Sequence, residues 1–292
     1  MPLRDVRSAV MPSLGRVVVI SRPVLWINAL GTGVVAMWLA GSLWTWAALP
    51  MLLWLCLPFN LLIYGVNDIY DQDTDAQNPR KASLEGARIA AAEVPGIWAW
   101  VIGLNAPFVL WFAITLPAAA LAWMALYVVV FVAYSAPPLR FKARPYLDAG
   151  SNAAYALPMV FVPLALGTSP VWPAALGLMA WSVAKHPFDA VQDIEEDRQV
   201  GIATTAVRLG PTGTGWWCAL WWGASTLGFA LVNLPVAAVN LLIAGGLVAV
   251  LLRSPSPATA RRLYRYSIAF PYVAGSVAGV QLTIALYLGW YP

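Results

Sequence analysis

Charge is scarce in this chain: 17 Lys and Arg and 13 Asp and Glu stand among 292 residues. A soluble domain carries roughly a quarter charged residues, because its surface faces water. Water is therefore excluded as the solvent for most of this surface. Cysteine is nearly absent, and Cys56 and Cys218 both lie inside apolar stretches. That excludes a disulfide framework or a thiolate metal site and leaves both as small buried hydrophobes. The net charge of +4 is dispersed, with no basic run that reads as a nucleic-acid patch, so no nucleic-acid partner is expected.

Apolar residues are what the chain has in quantity, 61% of the total. Runs long enough to cross a ~30 Å hydrocarbon layer recur along its whole length. Apolar windows read against turn signals predict nine spans, at 21–40, 44–66, 94–114, 118–134, 148–166, 171–188, 214–232, 235–252 and 266–289. Short breaks such as Ala40-Gly41-Ser42 and Leu116-Pro117 favour tight helix hairpins. The expected fold class is an all-α integral membrane protein: residues 1–20 form a cytoplasmic N-terminal segment, and 21–292 a single transmembrane domain. Abundant glycine and proline within the spans reads as close helix packing. No cleavable signal is expected, because Arg22-Pro23 interrupts the first apolar run.

The basic residues fall at one end of the spans, among them Arg16, Arg22, Arg88, Arg144, Arg208 and Arg261, while the loops at the other end carry no charged side chain. By the positive-inside rule the charged end and the N-terminus are cytoplasmic. An odd number of spans then puts the C-terminus outside, in a multi-pass protein of the cell membrane.

Two acidic clusters stand at that charged end. In the first, Asp68, Asp71 and Asp75 lie at i, i+3 and i+7, with Asn67 beside them; in the second, Asp189, Asp193 and Asp197 lie at i, i+4 and i+8. On helices each trio shares one face. Six carboxylates gathered at one membrane surface would repel one another and raise each other's pKa. Hard divalent cations remove that conflict, and Mg²⁺ commonly bridges a few carboxylates to substrate phosphates. Arg80, Lys81, Arg140 and Lys142 are near enough in sequence to meet the remaining phosphate oxygens. Solvated helix ends would account for one such cluster, but two in helical register on one side point to function.

These residues resemble the UbiA superfamily of intramembrane prenyltransferases. Asn67, Asp68, Asp71 and Asp75 match its N-D-x-x-D-x-x-x-D motif, and Asp189, Asp193 and Asp197 match D-x-x-x-D-x-x-x-D. Ser21-Arg22-Pro23, the loop Tyr134-Ser135-Ala136-Pro137-Pro138-Leu139-Arg140-Phe141-Lys142 and the stretch from Arg198 to Gly210 are similar to the family's corresponding segments. The resemblance implies a helical bundle around a central cavity, with Mg²⁺ and a prenyl diphosphate at its cytoplasmic mouth. It implies Asp68, Asp71, Asp189 and Asp193 in catalysis, and all six aspartates as metal ligands. Arg22, Asn67 and Tyr134 join Arg80, Lys81, Arg140 and Lys142 as the diphosphate-binding set.

The segment Asp75 to Gly86 and the loop continuing through Arg144-Pro145-Tyr146-Leu147-Asp148 are similar to the family's lycopene elongase branch. That branch implies dimethylallyl diphosphate and lycopene as donor and acceptor drawn among membrane lipids, and 45- and 50-carbon carotenoids as products. It is also compatible with a carotenoid-cyclase partner. The cation left on the acceptor is quenched by water or by proton loss. No basic residue lies deep in a span, where an aromatic acid's carboxylate would need one. An aromatic acceptor of the quinone or chlorophyll type stays open as the alternative. A cation transporter is disfavoured because the carboxylates sit at span ends rather than the midplane. A phosphotransferase acting on CDP-linked alcohols lacks its Gly and Arg between the aspartates. His186, the one histidine, lies near the mouth with a packing and a chemical role both open.

Overall fold

The computed structural model describes residues 10–72 and 88–290. Among them every regular element is helical. Helix α1 (Leu14–Ile20) falls inside the expected N-terminal segment. The first predicted span, 21–40, follows as the 3-10 turn Pro23–Asn28 and α2 (Leu30–Leu39), and α1 meets it at 53°. The cause is local: Pro23 has no N–H to continue a helix, and Arg22 before it takes a left-handed backbone, φ 53°.

The second span is α3 (Leu49–Leu55) joined to α4 (Leu57–Tyr70) at Cys56. Next come α5 (Val94–Thr115) and α6 (Ala118–Ser135), close to expectation. The fifth predicted span is corrected: 148–166 is no continuous helix but α7 (Leu147–Gly150), the 3-10 segment Ser151–Ala156 and α8 (Pro158–Ala165). Pro158 starts a new helix rather than extending the old one. The sixth is α9 (Trp172–Ala190), followed by a 3-10 turn Val191–Asp193 and the short α10 (Ile194–Gln199). The last three are α11 (Thr205–Ala230), which begins well before residue 214 and kinks at Gly210-Pro211, α12 (Leu234–Arg253) and α13 (Pro257–Tyr287).

Length and composition alone mark five helices of the described residues as able to cross a membrane, or six if the bent first pair counts as one. The remaining predicted spans are the broken fifth, the sixth with its Lys185 and Asp189, and the seventh, rich in Gly, Thr and Trp. Two apolar cores hold the bundle. One surrounds Trp54, Phe59, Tyr127 and Phe161; the other joins Phe188, Trp222 and Phe270. Because hydrocarbon leaves no water to satisfy polar groups, Asn105 works as a buried staple. Its carboxamide accepts from Trp54 Nε1 at 2.8 Å and donates to the Pro58 and Val101 carbonyls at 2.8 and 2.9 Å.

Close packing of α9 on α11 depends on glycine. A Cβ on Gly228 would meet Gly177 Cα and the Pro173 carbonyl, each at 2.8 Å. Pro187 inside α9 leaves the Val183 carbonyl without its helical donor, and the indole of Trp217 on α11 donates to that carbonyl at 3.1 Å. Cys218 is buried and Cys56 half-buried, both as free thiols.

Candidate active site

The end of α4 sets up the first acidic group. Asp68 is fully buried and pairs with Arg22 Nη2 at 2.7 Å, and Arg22 also lies over the Tyr64 ring at 4.6 Å. Asn67 and Asp71, one turn apart, face a large cavity instead. The expected shared face of Asp68 and Asp71 is therefore corrected. The helix stops at Tyr70, Asp71 is its non-helical cap, and Asp68 turns toward Arg22 rather than lining the cavity. Asp71 forms an ion pair with Lys142, and Arg140 Nη2 stands 3.9 Å from the same oxygen. Asn67 Oδ1 accepts from Ser135 Oγ at 3.0 Å and from Lys142 Nζ at 3.4 Å.

The second acidic group does not ride on a single helix. Asp189 is in the last turn of α9, Asp193 ends the 3-10 turn, and Asp197 is in α10. All three nevertheless line the cavity. Asp189 pairs with Lys185 one turn back and accepts a hydrogen bond from Ser267 on α13. Asp197 accepts from Thr204 Oγ1 at 3.4 Å. Burial, and then the Asp193 carboxylate, push the Asp197 pKa up to about 7. Tyr134, at the end of α6, lines the cavity with its hydroxyl 3.3 Å from His186 Nε2.

Arg140 reaches Asp71 but does not itself line the cavity. Asp75, Arg80 and Lys81 lie outside the described residues. Arg22, Arg140 and Tyr146 are the three described non-glycine residues with positive φ, at 53°, 39° and 69°. Such left-handed backbone costs free energy in an L-residue and collects at functional sites. Here it turns two arginines toward the aspartates.

Three participants escaped the sequence reading. Ser267 holds Asp189 from the last span. Arg261 lines the cavity and donates to the Gln192 carbonyl and to Glu196 Oε1, both at 3.3 Å. Asp148 is fully buried, accepts from Thr205 N at 2.9 Å and from the Thr205 hydroxyl, and stands 3.9 Å from His186 Nε2. An acid at the start of a predicted span was the available signal for Asp148; nothing local distinguished Ser267.

The cavity measures about 1710 Å³. Its charged lining residues lie near the charged span ends in the sequence. Its apolar lining includes Leu25, Val34 and Trp38 of the first span, Leu178 of α9 and Leu282 of α13. Among the described residues no three His, Cys, Asp or Glu side chains converge as a ready-made metal cage. Mg²⁺ typically takes one or two carboxylates plus phosphate oxygens and waters. The donors fit an ion of that kind: burial, with the Asp193 carboxylate adding to it, leaves Asp197 holding a proton near neutral pH, a conflict a divalent cation relieves. In contrast to the expectation of uncompensated repulsion, Asp68, Asp71 and Asp189 already have basic partners.

A helical bundle whose cavity is lined by acidic, basic and apolar side chains suits a membrane-embedded enzyme that expels a polar leaving group from an apolar chain. The chain matches the UbiA prenyltransferase family over residues 29–289 and belongs to that family; it is a prenyltransferase. It is 38% identical over 257 residues to a protein named lycopene elongase/hydratase from Haloarcula japonica, covering 84% of this chain and 85% of that one. A protein of the same name from Halobacterium salinarum is 35% identical, covering 94% and 90%. Among solved structures, a UbiA homolog from Archaeoglobus fulgidus bound to DMAPP and Mg²⁺ superposes with TM-score 0.66 at 20% identity. That match covers 89% of this chain and 99% of that one.

Proposed function

We propose that this enzyme transfers a dimethylallyl group from its diphosphate to lycopene, with Mg²⁺, building 45- and then 50-carbon carotenoids. The observation that carries the reading is a large cavity lined by the charged residues of the span ends and by many apolar side chains, in a chain whose relatives are named lycopene elongase/hydratase. Lycopene has no polar group, so apolar contact alone must hold it, and each buried methylene contributes about 0.8 kcal/mol. An aromatic acid would require a cation deep within a span, and the basic cavity residues all lie near span ends in the sequence. Transfer to an aromatic acceptor remains the second reading.

Asp71, Asp189, Asp193 and Asp197 are the groups to hold Mg²⁺, with Asp75 as a further ligand and Asp68 acting through Arg22. An ion held there would supply positive charge to stabilise the departing diphosphate. Lys142, Arg140 and Arg22 take the other phosphate oxygens, with Arg80 and Lys81 as further partners and Asn67 and Tyr134 as hydrogen-bonding groups. The C–O bond breaks with its electron pair on the diphosphate, and the terminal double bond of lycopene attacks the allylic cation.

We also count nine crossings, the fifth of them broken, with the mouth cytoplasmic and the C-terminus outside, supported by the one-sided basic residues. Reporter fusions in the 140–147 loop and after residue 290 test the sidedness. The decisive assay supplies membranes containing the enzyme with lycopene, dimethylallyl diphosphate and Mg²⁺. Lycopene should gain one and then two five-carbon units while 4-hydroxybenzoate stays unmodified. Prenylation of the aromatic acid alone would overturn the acceptor assignment.

A further inference from the structure

His186 sits where the reaction's second half takes place. It precedes Asp189 by three residues on α9, which runs toward the mouth, so it lies about 4.5 Å deeper into the cavity. It lines the cavity directly. If the diphosphate is held at the level of Asp189, the carbon that leaves it and the acceptor carbon it joins lie just below. That is the depth of the imidazole.

The ring is held from one side. Nε2 faces the Tyr134 hydroxyl at 3.3 Å and the buried Asp148 carboxylate at 3.9 Å. Asp148 is fixed in turn by the backbone and hydroxyl of Thr205, and Thr205 also accepts from Tyr146 N at 2.8 Å. Among the described residues Nδ1 makes no contact comparable to those of Nε2, and the residue as a whole lines the cavity. A cavity-lining imidazole with one nitrogen beside a tyrosine hydroxyl and a buried carboxylate suits a general base: the carboxylate stabilises the imidazolium formed when the ring takes a proton on its other nitrogen.

We propose that His186, positioned by Asp148 and Tyr134, is the general base that activates the water capturing the acceptor cation, the hydration that the relatives' name hydratase denotes. The proposal rests on the prenyl-transfer reading above. Attack of the terminal double bond forms a C–C bond and leaves a tertiary cation on the adjacent acceptor carbon. A lone pair of one water molecule forms the C–O bond to that carbon, and a proton of the same water passes to Nδ1. The imidazolium then releases it to solvent. The balance is dimethylallyl diphosphate, lycopene and water in, and a tertiary alcohol, diphosphate and one proton out. No oxidant is involved. Without the base, the cation loses a proton from a neighbouring carbon and yields an alkene.

The test compares wild-type enzyme with His186→Gln, using lycopene, dimethylallyl diphosphate and Mg²⁺. Chromatography with mass detection reads two quantities: total five-carbon additions and the hydroxylated fraction among elongated molecules. For His186→Gln the hydroxylated fraction should fall by about tenfold or more, with alkene in its place. Tyr134→Phe, which removes one support of Nε2 and leaves the ring, should lower the fraction less, and it carries the same readout if His186→Gln fails to accumulate. An unchanged hydroxylated fraction in both variants overturns the proposal. So does loss of all elongation in a folded His186→Gln, which would assign the ring to ionisation or acceptor seating. Wild-type enzyme that adds nothing to lycopene would instead overturn the acceptor reading.

Discussion

Lys142→Met isolates the electrostatics of donor binding. The ammonium is nearly buried, pairs with Asp71 and reaches Asn67 Oδ1 at 3.4 Å, so its charge is poorly screened by solvent. A charge-assisted hydrogen bond contributes about 1.5–3 kcal/mol. At 1.36 kcal/mol per factor of ten, losing one to the diphosphate raises the donor KM about 10- to 150-fold. Arg140, 3.9 Å from the same Asp71 oxygen, takes over part of the role and favours the lower end of that range. The assay is initial rate against dimethylallyl diphosphate concentration at saturating Mg²⁺ and acceptor. A structural alternative is that Lys142 only neutralises Asp71. The double variant Asp71→Asn with Lys142→Met separates the two: mere neutralisation predicts recovery when both charges go, whereas separate metal and phosphate roles predict a further loss. A donor KM within twofold of wild type, or recovery in the double variant, would refute the reasoning.

Three further outcomes follow from the same site. Asp193→Ala should lower turnover by about a thousandfold with the protein still inserted and folded, because charge stabilisation at ionisation is lost; wild-type rates in excess EDTA would contradict the metal assignment. The raised Asp197 pKa, about 7, means that the folded metal-free protein holds a proton the unfolded chain has released. Its stability therefore falls as pH rises from the usual carboxylate value through 7. The metal-free protein in detergent should show a lower Tm at about pH 8 than at about pH 5.5, with Mg²⁺ removing the difference. In the core, Asn105→Leu strands the Trp54 indole N–H and frees two carbonyls, and should cost about 2 kcal/mol in reversible unfolding; no measurable loss would mean that local rearrangement re-satisfies those groups.

The bilayer solvent and the helical class were legible in the sequence because a low-dielectric medium imposes one rule on every segment: satisfy the backbone internally and keep charge out. The aspartate motifs were legible for a related reason, since ionisable residues in such a chain are costly and few. Their geometry was not. Helical spacing put Asp68 beside Asp71 and Asp189, Asp193 and Asp197 on one face, yet α4 ends at Tyr70 and α9 gives way to a 3-10 turn at Val191. Periodicity assumes a helix that continues, and only the surrounding packing decides where it stops. Proline signalled a break at Arg22-Pro23, but the left-handed turn that sends Arg22 to Asp68 depends on a partner 46 residues away. The same distance in sequence hid Ser267 from Asp189, 78 residues apart, and Asp148 from Thr205, 57 apart. The sequence by itself determined the medium, the helices and which acids matter. The tertiary structure alone decided which of those acids face the cavity and that Asp68 and Asp71 are neutralised by Arg22 and Lys142, because those contacts join segments far apart in the sequence.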